Sequence, residues 1–124
     1  KLAAEAYVKQ LARYYGFESV VLRYFNTYGP GQTLTPYVGV ITIFINSLLQ
    51  GRPPMVFGSG AQVRDFVYVG DVAEANILAM KSSVNGMAVN VGTGKGTSVN
   101  DIASLLISRL GPGLEPGQHA LRSR

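Results

Sequence analysis

The sequence predicts an α/β fold built on parallel strands, and three observations carry that prediction. Short apolar runs rich in β-branched residues alternate with segments whose apolar residues recur every three or four positions. Glycine, proline or asparagine stands at nearly every change from one kind of segment to the other. The first strand-like run is almost continuously apolar, as a strand covered on both faces of a parallel sheet is.

In residues 1–15, Leu2, Ala3, Ala6, Tyr7, Leu11 and Tyr14 share one helical face, with Lys9, Gln10 and Arg13 elsewhere on the wheel. No Ser, Thr, Asp or Asn precedes the first turn, so this helix is expected to begin upstream of residue 1 in a longer parent sequence. Gly16 ends it as a C-cap. Residues 19–25 read as a strand buried on both faces, and residues 26–31 (Asn-Thr-Tyr-Gly-Pro-Gly) as the loop that stops it. Residues 38–49 form a second helix, apolar on most sides, closed by Gly51 with Pro53 and Pro54 beyond. Residues 55–57 are a short strand, 58–60 a turn and 66–69 another strand. Asp71 is placed to cap a helix running through Lys81, packed by Val72, Ala75, Ile77, Leu78 and Ala79. Asn85-Gly86 turns the chain into a strand at 87–91, and a glycine-rich loop follows at 92–97. Ser98 caps a last helix through Leu110, with Val99, Ile102, Leu105, Leu106 and Leu110 on one face. From Gly111 the periodicity stops, and residues 111–124, with His119, Arg122 and Arg124, read as a flexible tail behind one unit at 1–110.

Composition narrows the function classes. With 47% hydrophobic and 15% charged residues in 124, the chain is globular and sized for one domain. The absence of cysteine excludes a disulfide scaffold, a thiol catalyst and cysteine-ligated zinc, and a single histidine argues against a multi-histidine metal site. The longest apolar stretch, residues 37–49, carries Thr42, Asn46 and Ser47 and falls short of the roughly 20 residues that span a bilayer. Nothing resembles a secretory signal, and a cytoplasmic protein is expected. The net charge of +4 forms no basic stripe interleaved with aromatics, so a nucleic-acid partner is not expected.

Open α/β sheets bind ligands at strand ends. The first such place delivers Tyr24, Phe25 and Asn26 to a Gly-Pro-Gly loop, either as an aromatic wall with an amide that donates and accepts, or as two core residues and a turn former. The second is Arg64, beside the glycine-bracketed loop 58–60. It suits bidentate grip of a phosphate, or alternatively a surface ion pair with Asp65 or Asp71. The loop at 92–98 (Gly-Thr-Gly-Lys-Gly-Thr-Ser) fails as a P-loop, since Val89 and Gly96 stand where glycine and Ser or Thr are required. It fails as a dinucleotide fingerprint at Thr97, and reads as a connection.

Three stretches in register carry a resemblance: Arg23-Tyr24-Phe25-Asn26-Thr27-Tyr28-Gly29-Pro30, residues 57–73 from Phe57-Gly58-Ser59-Gly60 through Arg64-Asp65-Phe66 to Asp71-Val72-Ala73, and Asn90-Val91-Gly92-Thr93-Gly94. Over residues 1–110 the chain resembles the extended short-chain dehydrogenase/reductases, within them the NAD-dependent epimerase/dehydratases of nucleotide sugars, and most of all the UDP-glucose 4-epimerase branch. The resemblance implies the C-terminal part of a Rossmann-like parallel sheet together with the small substrate-binding region. It implies NAD as cofactor, a UDP-sugar as substrate, a homo-oligomer, and hydride removal and return at the sugar through a keto intermediate. Lys1 matches the lysine of the family's Tyr-x-x-x-Lys, which bonds the nicotinamide ribose and lowers the pKa of the tyrosine base. Phe25, with Tyr24 beside it, would lie against the nicotinamide. Asn26 would hydrogen-bond the nucleotide sugar, Met55, Val56 and Phe57 would border its base, and Arg64 would hold its diphosphate. Asp65 and Asp71 are expected to fix a loop and a helix cap. Two departures stand out: these residues include neither the tyrosine nor the cofactor-binding glycine turn, and Glu115-Pro116-Gly117-Gln118 replaces the family's Arg-Pro-Gly-Asp. The implied product is a chain inactive by itself, or a truncated module that binds a nucleotide sugar or self-associates.

Overall fold

The computed structural model describes residues 1–35 and 38–119, the last of these by its backbone alone. Expectations for Tyr37, for the His119 side chain and for Arg122 and Arg124 lie outside what is described. In chain order the elements are α1 (Leu2–Tyr15), β1 (Val20–Tyr24), β2 (Asn26–Tyr28), α2 (Val40–Leu49), β3 (Met55–Phe57), β4 (Val63–Tyr68), α3 (Val69–Lys81), β5 (Met87–Val91), β6 (Gly96–Ser98), α4 (Val99–Leu110) and β7 (Gly117–His119). Strand β1 runs parallel to β5, β2 parallel to β4, and β3 parallel to β7, while β6 closes on β4 antiparallel. The fold class is therefore α/β with parallel strands.

The helices sit where periodicity places them, and their ends follow local chemistry. Gly16 takes a left-handed φ of 73° and its N–H reaches the Ala12 carbonyl at 2.9 Å, which closes α1. Lys1 occupies the N-cap position of α1 without a side-chain bond. The strongest start is at α4. The Ser98 hydroxyl accepts the Asp101 N–H at 3.1 Å, and the Asp101 carboxylate accepts the Ser98 N–H at 3.1 Å, a reciprocal pair that satisfies two orphan donors.

Differences from expectation cluster where strands are too short to show a period. Residues 26–28, expected in a loop, form β2. Phe25 leaves the β5 ladder with a last N–H bond to the Val91 carbonyl at 3.0 Å, and the next three residues pair with Phe66–Tyr68. Strand β4 begins at Val63 instead of Phe66, because Val63, Arg64 and Asp65 pair with 96–98 in the supposed connecting loop. Helix α3 starts at Val69 with Tyr68 as its cap, so Asp71 lies in the first turn, where a carboxylate still favours the helix dipole. Gly117–His119, expected within the flexible tail, hydrogen-bonds to β3 through its backbone, an interaction that needs no side-chain pattern. Finally, β1 is only half-buried over Val20, Val21 and Leu22 and exposed at Arg23 and Tyr24. Helix α3 packs on it, while α1 and β1 line a cleft together and meet through the side chains of Glu5 and Arg23.

The core lies between α2 and α4 and over β3. Phe44, Val56, Val99, Ile102 and Ala103 form its centre, with Val40, Ile41, Phe66 and Leu106 packed around them. Fully burying a side chain of the Phe or Val class stabilises the fold by roughly 1.5–3 kcal/mol, so this cluster fixes the relative positions of β3, β4 and the starts of α2 and α4. Those elements supply one wall each of the cleft described next.

Candidate functional site

Two clefts meet at Thr27, which lines both. The first, of about 290 Å³, opens between β2, β3, β4 and the N-terminus of α2. Asn26, Met55, Phe57 and Arg64 all line it. Strand alternation explains the pair on β3: Met55 and Phe57 face the cleft, and Val56 between them turns the other way, 1% exposed in the core. Val56 thus borders the cleft by sequence position only, a correction to its expected place against a nucleotide base.

Arg64 is the one charged side chain among those lining this cleft. Its Nη1 donates to its own neighbour's carbonyl, Val63 O, at 2.8 Å, and among the described residues it forms no ion pair, so the surface-pair alternative with Asp65 or Asp71 is not what the structure adopts. Among the described residues nothing else accepts from its guanidinium, which has further N–H donors to offer an anion. Asn26 donates from Nδ2 to the Asp65 carbonyl at 3.0 Å, which orients the amide.

The second cleft, of about 580 Å³, lies between α1 and β1 and brings together Lys1, Tyr24 and Phe25. Tyr24 is pinned at its far end, its hydroxyl donating to Asn76 Oδ1 on α3 at 2.9 Å. The two walls are tied by Arg23 and Glu5, which meet in a fork with Nε to Oε1 at 2.9 Å and Nη2 to Oε2 at 2.6 Å. The Arg23 hydrogen bond holds the Glu5 carboxyl below the usual range and raises the guanidinium.

Asp65 fixes a loop, as expected. Its Oδ1 accepts from the Thr93 hydroxyl at 2.7 Å and the Thr93 N–H at 3.0 Å, and Oδ2 accepts the Gly94 N–H at 2.8 Å. These bonds, the Thr93 hydroxyl foremost, hold its carboxyl below the usual range. Among the described residues no group of three or more histidine, aspartate and glutamate side chains is arranged for a metal, and no helix is long and apolar enough to cross a membrane.

Residues 1–92 match the NAD dependent epimerase/dehydratase family. The chain belongs to that family. Its relatives in the family include a putative UDP-glucose 4-epimerase of Methanocaldococcus jannaschii, 46% identical over 113 residues that cover 90% of this chain and 36% of the relative. The UDP-glucose 4-epimerase of Thermotoga maritima, solved with UDP-glucose, superposes with a TM-score of 0.92 at 42% identity, over 99% of this chain and 40% of that one. The Thermus thermophilus UDP-glucose 4-epimerase, solved with NAD, gives 0.82 at 36% identity, over 97% and 40%. The chain therefore spans about two-fifths of the length of these family members.

Some lining residues escaped the sequence reading. Gln32 lines the first cleft and is held by the Thr42 hydroxyl, which donates to its Oε1 at 2.7 Å; Gln62 lines the same cleft from the turn before β4. Both are polar residues outside any periodic run, and no spacing in the sequence singles them out.

Proposed function

We propose that this chain supplies the C-terminal, nucleotide-sugar-binding part of an NAD-dependent epimerase/dehydratase of the UDP-glucose 4-epimerase kind. One observation carries the reading: Arg64, a cation with no carboxylate partner among the described residues, shares a cleft with an apolar lip of Met55 and Phe57 and the oriented amide of Asn26. That combination suits a ligand with a charged diphosphate, a flat base and sugar hydroxyls. Arg64 would grip the diphosphate, Met55 and Phe57 would cover the base, and the Oδ1 of Asn26, which accepts no bond from the described residues, would accept from a hydroxyl.

The second cleft fits one end of a dinucleotide. Lys1 offers an ammonium toward a ribose, and Tyr24 and Phe25 offer aromatic surface toward a nicotinamide ring. NAD, when bound, supplies the hydride acceptor and donor for the reaction at the sugar. The sequence contains no G-x-G-x-x-G turn to cradle the pyrophosphate, and no tyrosine stands four residues before Lys1 within these 124. We therefore propose that these residues alone bind a UDP-sugar and do not turn it over.

Calorimetric titration with UDP tests binding: heat is expected with the unmutated chain, and its loss in Arg64→Ala. No heat with the unmutated chain overturns the reading. Incubation with UDP-galactose and NAD tests silence, and detectable UDP-glucose would sink that part. A second reading, a self-associating module, has one observation in its favour: Leu2, Tyr7, Leu11 and Tyr14 are exposed along one face of α1. Sedimentation of the pure chain separates the two, because a monomer at micromolar concentration removes the self-association reading.

A further inference from the structure

We infer that Asp65 is a positioning residue that couples the two clefts, holding Asn26 in one and the Phe25 ring in the other through opposite ends of the same amino acid. The ligand-binding consequence rests on the nucleotide-sugar reading above; the mechanical coupling stands on geometry alone.

The main-chain end acts on the first cleft. The Asp65 carbonyl accepts the Asn26 Nδ2 bond at 3.0 Å, one residue along β4 from Arg64, so its orientation sets where the Asn26 amide points. The side-chain end acts on the second. The carboxylate takes three donors from Thr93 and Gly94, at 2.7 to 3.0 Å, and so holds down the loop that leaves β5. Gly92, the first residue of that loop, lies beneath Phe25 so closely that a Cβ there would run into both the Phe25 ring and the Asp65 carboxylate. Phe25 in turn bonds the Val91 carbonyl at 3.0 Å, which leaves the ring pressed on the glycine. Moving the loop therefore moves the support of Phe25, and releasing the carboxylate removes one tether on Asp65, whose carbonyl can then reorient within the paired strand and carry the Asn26 amide with it. The ladder partner of Asp65, Gly96, and the rest of the β4–β6 pairing do not depend on the carboxylate, so the strand itself should persist without it.

The test uses the full chain and compares D65N, T93A and T93S. An asparagine keeps the shape of the aspartate but turns an NH₂ toward a donor that the carboxylate accepted. T93A removes the hydroxyl, which donates to Asp65 and accepts the Lys95 N–H, together with the γ-methyl; T93S restores the hydroxyl alone. In ¹H–¹⁵N and aromatic NOE spectra, D65N and T93A should shift the Asn26 side-chain amide pair together with the Gly94 amide and weaken the Phe25 to Gly92 NOEs, and T93S should return all three. UDP affinity should fall about fivefold in D65N and about twofold in T93A, within the range of couplings between neighbouring sites. An Asn26 amide and a Phe25–Gly92 contact that stay in place while Gly94 moves would overturn the inference, as would failure of T93S to restore them. If D65N does not fold, T93A and T93S decide the matter. Should the unmutated chain give no heat with UDP, the nucleotide-sugar reading fails, and the resonances still decide the coupling.

Discussion

The half of the molecule formed by α2, β3, β4 and α4 differs from the half formed by α1, β1, β5 and α3 in what its apolar residues do. In the first, Phe44 is 1% exposed and the helices close over it. In the second, Tyr14 of α1 is 82% exposed and Leu78 of α3 is 59% exposed, although both helices carry apolar residues at helical spacing. Periodicity tells which residues share a face and says nothing of what covers that face. The covered half presents a cleft whose α2, β3 and β4 walls rest on that core. The uncovered half holds its own cleft with a fork between Arg23 and Glu5 and a hydroxyl bond from Tyr24.

Truncation of Phe44 to alanine should break this contrast most visibly. A cavity at the centre of the core should cost about 3–5 kcal/mol, read from chemical denaturation, while Leu78→Ala on the uncovered face should stay within about 0.5 kcal/mol. Equal costs at the two positions would mean that the halves do not differ as described. Ser98→Ala removes one side of the reciprocal cap of α4 and should lower stability by about 1 kcal/mol; an unchanged denaturation midpoint would show that the core alone holds that helix.

Acidification gives the smallest effect and reports on both halves. The Arg23 bond lowers the Glu5 pKa in one half, and the Ser98 hydroxyl lowers that of Asp101 in the other, with Asp65 lowered by Thr93 at the junction. A carboxyl with a depressed folded pKa binds its proton more readily when unfolded, so its stabilisation is complete above the ordinary carboxylate range of about pH 4 and is lost as pH falls through the folded value. Thermal midpoints should be flat from neutrality to about pH 5 and fall below it. Asp101→Asn should reduce that fall, and a midpoint that rises on acidification would contradict the sign.

The helices were legible because their apolar faces repeat over ten or more residues, and the Ser98 start because a hydroxyl and a carboxylate three positions apart have one obvious use. Lys1, Tyr24 and Phe25 line one cleft and Asn26, Met55, Phe57 and Arg64 another, a grouping that no local spacing encodes. Strands of three residues were not legible. Asn26–Tyr28 and Gly96–Ser98 look like turn chemistry until their partners on β4 are known, and Gly117–His119 shows no pattern at all. Val56 was missed as core for a related reason, since the two-residue period of a three-residue strand gives only one alternation to read. Gln32 and Gln62 depend on how separate loops meet, which no local pattern encodes.

The pairing of β3 with β7 sets a timetable as well as a shape. Met55 and Gly117 are about sixty residues apart in the chain, and closing a loop of that length is entropically late compared with turns and helices. The Met55 and Phe57 lip of the first cleft should therefore gain its last ladder partner only after the four helices are in place. A ligand seated on that lip would find it frayed in any chain that lacked residues 117–119.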